Sequence, residues 1–265
     1  MYLLCRSGFA AEKASLTWWS FDEAHGRAAS DRLSSAADPI EGNFRHIQGV
    51  RGAGIKCDGF TTRIVRKASQ APRLTGSFTI EAWVAPQAYP WNWCAIVNQQ
   101  KDQQAGYFFG IDDMGHVGLH LAVEAAWHEC NSEKTIPFMD KWSHIVGTFD
   151  KDKGMTVYID ANAVAFVPVK GTPTFAPDMD LQIARNHEKT PLNPQTLVRK
   201  SVDFPTSYSF DGIIDEVKIY SCALGPHEIA DRYRESNLPA RPRSNGESCL
   251  NCQPAQTHSE HSIAA

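Results

Sequence analysis

Short segments in which apolar and polar residues alternate, separated by turn-forming residues, recur along most of this chain. Residues 79–84 (TIEAWV) and 155–160 (MTVYID) alternate with a period of two, which is typical of strands with one buried face. Turn signals at 112–115, 150–154 and 160–162 each join two such segments, as in β-hairpins. The clearest strand segments are 16–21, 78–84, 94–98, 107–111, 117–123, 143–149, 155–159, 181–184 and 213–220. The pattern predicts an all-β fold, a two-sheet antiparallel β-sandwich of the jelly-roll type.

One helix and two flanking segments complete the predicted organisation. Residues 221–233 place Pro226 in a first helical turn, followed by helix-forming residues, which predicts a short C-terminal helix. The segment after it is rich in proline and arginine and has the composition of a linker. We therefore expect an N-terminal extension at 1–15, a domain at 16–238, and a Pro-rich linker or disordered tail at 239–265.

Charge and hydropathy argue against several classes of function. The 30 acidic residues outnumber the 26 basic ones, and this lack of basic excess disfavours non-specific binding to nucleic acid or to an anionic membrane. No apolar run approaches the roughly 18 residues that a membrane span needs. The apolar start of the chain ends after four residues at Arg6 and has no basic region before it, so we find no convincing signal peptide.

Cysteine usage does not indicate a regular disulfide framework. The chain has seven cysteines, an odd number. Cys94 and Cys130 flank two aromatic-rich segments and could form a disulfide between them, although sequence alone does not establish pairing. Cys57 and Cys222 lie in or beside strand motifs, as buried thiols do. A CxxC pair and two histidines within residues 249–261 leave a metal site in the tail open, but a disordered tail is the favoured interpretation.

An ordered series of motifs resembles the laminin-G-like jelly-roll family, within the concanavalin A-like lectin and glucanase superfamily. The motifs are WSFDE at 19–23, CDGF at 57–60, FTIEAWV at 78–84, KWSHIVGTFD at 141–150, VYID at 157–160 and FDGIIDEVKIY at 210–220, followed by a helix. The resemblance implies two packed antiparallel sheets and a non-catalytic, extracellular or periplasmic module of secreted polysaccharide-processing enzymes. The chain departs from the family at 160–162, where DAN replaces the usual Asp-Gly; Asn tolerates the same left-handed turn.

The resemblance also implies a structural calcium ion that joins the first and last strands. On this basis Asp22 and Asp215 are predicted ligands, with Asn43 and Asp58 as weaker candidates. Calcium requires six to eight oxygen ligands, which backbone carbonyl groups would complete. The alternative is that these side chains cap turns by accepting hydrogen bonds from backbone N–H groups.

Aromatic residues on three predicted loops suggest a carbohydrate site. Sugars stack their apolar faces on aromatic rings, while amide and carboxylate groups bind their hydroxyls. Alternatively, Trp91 or Trp93 covers the core as a hydrophobic lid. Trp83 and Trp142 are predicted to pack in or near the core. The candidate ligand residues are Tyr89, Trp91, Trp93, Trp127, Asn131, Arg185, Asn186 and His187.

Two other hypotheses remain open. A glycoside hydrolase on this fold would need paired carboxylates on one face of a strand. The candidates are Glu124 and Glu129, with His128 beside them. Glu124 and Glu129 are five positions apart, and this odd spacing would place them on opposite faces of a regular strand. A polysaccharide lyase would need histidine, tyrosine and arginine to converge. The candidates for a lyase are Tyr107, His120, His128, Arg185 and His187. The chain could instead be a structural module that packs on a catalytic domain and exposes an apolar patch on one sheet.

Overall fold

The computed structural model describes residues 14–23, 25–187 and 209–237. In these ranges the chain forms a β-sandwich of two antiparallel sheets with one helix, which confirms the predicted fold class. The strands are β1 (Ser15–Trp19), β2 (Ala28–Ser30), β3 (Ala37–Glu41), β4 (Phe44–Gln48), β5 (Ala53–Asp58), β6 (Arg63–Arg66), β7 (Phe78–Pro86), β8 (Cys94–Asn98), β9 (Tyr107–Ile111), β10 (His116–Val123), β11 (Ala126–Thr135), β12 (Ser143–Asp150), β13 (Gly154–Ile159), β14 (Asn162–Val167), β15 (Leu181–Ile183) and β16 (Asp211–Tyr220), and the helix is α1 (Pro226–Asn237).

Each sheet contains eight strands. Sheet I has the order β14-β13-β12-β7-β16-β5-β4, with β1 also pairing to β16. Sheet II has the order β11-β10-β9-β8-β15-β6-β3-β2. All nine predicted strand segments are strands, and the helix begins at Pro226 as its first-turn position predicts. The strands that the sequence patterns did not indicate are β2 to β6, β11 and β14.

The core lies between the two inner faces, and α1 covers part of the outer face of sheet I. Phe78, Ile80 and Ala82 point into the core, so Trp83 points to the other side of β7. Trp83 is nevertheless 2% exposed, because its ring stacks on Tyr233 of α1 with centroids 5.7 Å apart. The prediction that Trp83 is buried is therefore correct, but it is buried under α1 and not between the two sheets. Trp142 is half-buried.

A β-bulge interrupts β16, an interior strand of sheet I. The first half of β16 pairs with β5 and the second half with β1. Between them the register with β7 shifts at Asp215–Lys218, and Glu216 has a φ of 52°. A bulge leaves its residue without a regular ladder partner. Asp215 pairs with Trp83 of β7 just before the bulge, whereas pairing with β5 ends at Ile214, and the Asp215 carboxylate accepts the Arg51 N–H in the turn that follows β4.

The described cysteines, Cys57, Cys94, Cys130 and Cys222, are all free thiols, so the disulfide considered between Cys94 and Cys130 is not formed. The two residues lie on β8 and β11, which are separated by β9 and β10. Three strand spacings amount to about 14 Å, whereas a disulfide joins Cα atoms at most about 6.8 Å apart.

The chain ends lie partly outside the described residues. Residues 1–13 and 238–265 are among those not described, so the predicted tail and its CxxC pair lie outside the structure. The predicted domain limits at 16 and 238 therefore stay predictions. Within the described ranges, no helix combines the length and the apolar character needed to cross a membrane.

Candidate functional site

The outer face of sheet II carries a row of side chains that cross-strand pairing aligns. Tyr107 and Phe109 point into the core, so alternation places Phe108 on the outer face. His120 pairs with Phe108 on one side and with Glu129 on the other. Residues directly opposite on neighbouring strands have side chains in contact. Three successive strands, β9, β10 and β11, thus contribute one continuous row to this face.

A pocket of about 140 Å³ surrounds this row. We call it the aromatic pocket because rings from Trp93, Phe108 and Trp127 line it together with the His120 ring. The remaining lining groups are four amides and one carboxylate. The lining residues are Asn92, Trp93, Gln100, Gln103, Phe108, His120, Trp127, Glu129 and Asn186.

Ring contacts hold His120 in place. The Phe108 and His120 rings stack with centroids 5.1 Å apart and an interplanar angle of 25°. Trp93 meets the same imidazole edge-on at 4.6 Å, and Trp127 meets it edge-on at 6.2 Å. Phe108 and His120 are both nearly fully buried, so they form the base of the pocket. A rigid aromatic base of this kind suits a ligand with a flat apolar face.

His120 is an uncharged hydrogen-bond donor in this environment. Burial lowers the pKa of His120, and this effect is opposed by the nearby Glu129 carboxylate and by the hydrogen bond to Asn131. The His120 Nε2 to Asn131 Oδ1 distance is 2.7 Å. Because the amide oxygen accepts, Nε2 carries the proton in the neutral ring.

Backbone contacts position the amide side of the pocket. Asn186 Oδ1 accepts a hydrogen bond from the Ala95 N–H at 2.8 Å, and Asn186 Nδ2 donates to the Trp93 carbonyl at 2.8 Å. Asn186 therefore fixes the start of β8 and with it the Trp93 ring. Asn92 Oδ1 accepts from the Trp93 N–H at 2.7 Å. On the opposite side, the buried Trp127 Nε1 has no hydrogen-bond partner among the described residues.

The structure brings some of the predicted ligand residues to this pocket and places others elsewhere. Trp93, Trp127 and Asn186 line it, and Asn131 binds His120. The sequence predicts a loop at Trp127 and Asn131, but the two residues lie on β11.

The remaining predicted ligand residues do not line the aromatic pocket. Tyr89 donates its hydroxyl to the Ile136 carbonyl and packs on Phe138. Trp91 is 46% exposed. Arg185 forms a bridge with Ser209, and His187 contacts the Asp180 carbonyl and Gln182.

Trp91 belongs to a group of apolar side chains at one end of the sandwich. Five of the eight exposed large apolar side chains in the described residues lie in loops at this end, so they do not form a patch on one sheet face. These side chains are Phe60, Trp91, Met114, Phe138 and Met139.

The residues considered for catalysis lie on different elements and faces. Glu124 occupies the turn between β10 and β11, where its carboxylate accepts a hydrogen bond from the Thr172 N–H at 2.7 Å. Glu129 lines the aromatic pocket, and His128, as its neighbour on β11, lies on the opposite face of that strand. Of the lyase candidates, Tyr107 is buried in the core, and burial raises its pKa far above the ordinary value.

Two of the predicted calcium ligands approach the same turn. The Arg51 N–H donates to Asp215 Oδ2 at 3.0 Å, and the Ala53 N–H donates to Asp22 Oδ1 at 3.1 Å. Burial raises the pKa of Asp215 to about 8, and the negative charges of Glu216 and Asp22 add to this effect. The structure therefore shows a buried acid beside a second carboxylate.

Two glycines in this turn make the approach of the carboxylates possible. A Cβ atom at Gly49 would clash with the Asp215 carboxylate, and one at Gly52 would clash with the Asp22 carboxylate. Gly52 also has a φ of 57°, in the left-handed region that favours glycine.

Asp58 and Asn43 lie at the far end of β5, away from this turn. Burial opposes ionisation of Asp58, but hydrogen bonds from Thr61, Phe60 and Thr62 outweigh it and lower the pKa of Asp58 to about 2. The Asn43 N–H donates to Thr61 Oγ1 at 2.9 Å. Both residues therefore stabilise the turn between β5 and β6.

A larger cavity, of about 500 Å³, lies over β4, β5 and the start of β16. Among the described residues that line it, Phe44 is the only aromatic one. Lys56 Nζ lies 3.3 Å from Asp140 Oδ1 and 3.8 Å from Asp211 Oδ1, so charged groups dominate this site. It lacks the set of rings found in the aromatic pocket.

Sequence reasoning missed the middle of the aromatic pocket. The sequence predicts only that Phe108 belongs to a strand, and no motif indicates Gln100 or Gln103. Residues 107–111 (YFFGI) do not alternate between apolar and polar residues, so the sequence carries no signal that Phe108 faces away from the core. The two glutamines carry no pattern either, since they lie in the loop between β8 and β9.

Comparisons with solved structures find the same sandwich in binding domains. One of these structures is of botulinum neurotoxin type C, a toxin whose cell entry depends on interaction with two ganglioside molecules. It aligns with a TM-score of 0.63 and 12% identity over 88% of this chain and 53% of that one. Domain 4 of AbnA, an extracellular GH43 arabinanase from Geobacillus stearothermophilus solved with arabinotriose, aligns with a TM-score of 0.61 and 16% identity over 82% and 97%. This chain thus spans about half of the neurotoxin chain and nearly all of the arabinanase domain. At these identities the likeness establishes the fold.

The sequence itself identifies the family. No curated protein sequence matches this chain. A laminin G family profile, described as the concanavalin A-like lectin/glucanases superfamily, matches residues 61–230, which is more than half of the chain and runs from the turn before β6 into α1. The chain belongs to the laminin G-like domains of the concanavalin A-like lectin/glucanase superfamily.

Proposed function

We propose that this chain is a non-catalytic carbohydrate-binding module that holds glycan in the aromatic pocket. The observation that carries the proposal is the enclosure of one pocket by three aromatic side chains, with amides and a carboxylate between them. Aromatic rings supply stacking surface for the C–H faces of a sugar, and the polar groups supply hydrogen bonds to its hydroxyls.

The context of the module is part of the proposal. Domain 4 of an extracellular arabinanase shares the fold, which supports a role in a secreted polysaccharide-processing system, with a catalytic domain as a partner. An extracellular or periplasmic location follows from the same likeness and stays a prediction.

We further propose that a structural calcium ion binds at the turn after β4. Asp22 and Asp215 would be its carboxylate ligands, and carbonyl oxygens would complete the coordination. The raised pKa of Asp215 supports this, because a buried acid next to another carboxylate is the environment that a divalent cation stabilises.

Affinity electrophoresis through gels containing neutral or acidic polysaccharides tests the binding function. We expect slowed migration in at least one gel, with the polysaccharide left uncut. Trp127→Ala should abolish the retardation, because the ring is part of the pocket.

Two matched variants serve as controls. Trp91→Ala removes an exposed tryptophan that does not line the pocket, and Phe166→Ala removes an exposed ring on β14 of sheet I. Both should migrate like the wild type in the same gels. Retardation that survives Trp127→Ala but is lost in Trp91→Ala would move the site to the end loops, and no retardation in any gel would refute the binding function.

A further inference from the structure

Among the described residues that line the aromatic pocket, the only charged side chain is the Glu129 carboxylate. No lysine or arginine is among its lining residues, and Glu129 forms no ion pair with either type within the described parts of the chain. The other ionisable lining group, His120, is neutral because burial lowers its pKa. A ligand that enters this pocket therefore meets a net negative charge.

The size of the pocket limits what it can hold. Its volume of about 140 Å³ is close to the ~150 Å³ of a protein cavity that holds one benzene ring. One six-membered or five-membered sugar ring fits this space, while the neighbouring units of a polymer remain outside. Such a pocket recognises an individual unit, at a chain end or on a side branch.

The polar groups suit hydroxyls. The amides of Asn92, Gln100 and Gln103 can each donate and accept, and the indole N–H of Trp127 has no acceptor in the described part of the chain. The Glu129 carboxylate only accepts hydrogen bonds when ionised, and its two oxygens can bind a pair of adjacent hydroxyls.

We propose that the aromatic pocket selects a single uncharged sugar unit, and that the Glu129 carboxylate is the residue that excludes uronates, sialic acids and sulfated sugars. Glu129 is exposed to solvent at the pocket, above the buried Phe108 and His120 rings. The exclusion arises because an anionic substituent would lie beside this carboxylate with no cation among the described lining residues to offset the repulsion. This inference rests on the proposed binding function and adds the charge class and the size of the ligand.

Neutral polysaccharides paired with polymers of the corresponding uronic acid test the inference. We would compare galactan with polygalacturonate, β-glucan with polyglucuronate and mannan with polymannuronate, and add arabinan, all in affinity gels with the full chain. The wild type should be retarded by at least one neutral polymer and by none of the acidic ones. The methyl glycoside of the retarding sugar should compete, whereas the uronic acid of the same configuration should not.

Glu129→Gln keeps the side-chain size and removes the charge. We expect it to bind the neutral polymer at least about tenfold more weakly, because a charge-assisted hydrogen bond is lost, and to discriminate less against the acidic partner. Glu133→Gln is the matched control, since Glu133 is exposed on the same strand and outside the pocket. It should behave like the wild type on both members of each pair.

Three outcomes would overturn the inference in distinguishable ways. Retardation by an acidic polymer that Trp127→Ala abolishes would refute the neutral class while the binding function stands. If Glu129→Gln binds the neutral and the acidic polymer of each pair as the wild type does, the role of Glu129 would be refuted. No retardation by any polymer would refute the proposed function and the inference together.

Discussion

Replacing Asp215 by asparagine should change stability in opposite directions with and without calcium. Asp215 is fully buried, and its pKa rises from 3.8 to about 8. One unit of pKa shift corresponds to about 1.4 kcal/mol, and at pH 7 only the part of the shift between 3.8 and 7 counts. Burying this acid therefore lowers the free energy of unfolding by about 4 kcal/mol at pH 7 when no cation is bound. An amide removes this cost because it does not ionise.

Hydrogen bonding reduces the expected gain. Asp215 accepts from the Arg51 and Glu216 N–H groups through separate oxygens, and asparagine has one acceptor oxygen for the two donors. Losing one of these bonds costs about 1–2 kcal/mol. The net gain is about 2 kcal/mol, or about 4–8 °C in Tm for a domain of this size.

Thermal unfolding in EDTA and in millimolar calcium provides the assay. In EDTA, Asp215→Asn should unfold at a higher temperature than the wild type. Calcium should stabilise the wild type, by about 2.7 kcal/mol at a hundredfold excess over Kd, and should leave Asp215→Asn unchanged. Because the folded-state pKa is raised, the wild type without calcium should also lose stability as pH rises from about 4 to 8, and the variant should lack this loss.

Asp58→Asn is the control, because Asp58 caps a turn with a lowered pKa. It should be destabilised to the same extent with and without calcium. If Asp215→Asn is destabilised equally in both conditions, the carboxylate is ionised and compensated in the folded protein, and the argument from burial is wrong. If calcium leaves the wild type unchanged, the calcium proposal fails while the EDTA result still tests the burial argument.

Two buried charge clusters give further predictions. Arg66 lies 2.7 Å from an Asp38 oxygen and 3.0 Å from an Asp31 oxygen, and all three side chains are buried. Arg66→Met should lower the free energy of unfolding by about 3–5 kcal/mol, because it leaves buried carboxylates unpaired. A loss of less than about 1 kcal/mol in a urea titration would contradict this. Burial opposes ionisation of Glu81, but Lys218 and other cationic groups under α1 lower its pKa from 4.5 to about 2. Its ionised form should therefore contribute about 3 kcal/mol above pH 4.5 that is lost as pH falls toward 2, and Glu81→Gln should abolish that part of the acid sensitivity in fluorescence-monitored unfolding.

The sequence by itself determined the class of fold and most of its strands. Period-two alternation and Asp/Gly turns are local properties, because a strand with one buried face and a tight hairpin each leave their record within about ten residues. The segments at 94–98 and 107–111 coincide with β8 and β9, and the first-turn position of Pro226 located the start of α1. Short or half-exposed strands such as β2 and β4 carry too few buried positions to show the pattern.

Only the tertiary structure decided which chemical groups meet. Phe108, His120 and Glu129 lie side by side because β9, β10 and β11 are neighbours in one register, and no local pattern specifies that register at a distance. The same holds for Asp22 and Asp215, which accept hydrogen bonds from one turn although they come from opposite ends of the domain sequence, and for Trp93 and Trp127, which lie 34 positions apart in the sequence. Contacts between distant strands depend on how the whole sandwich packs, and the site is made of such contacts.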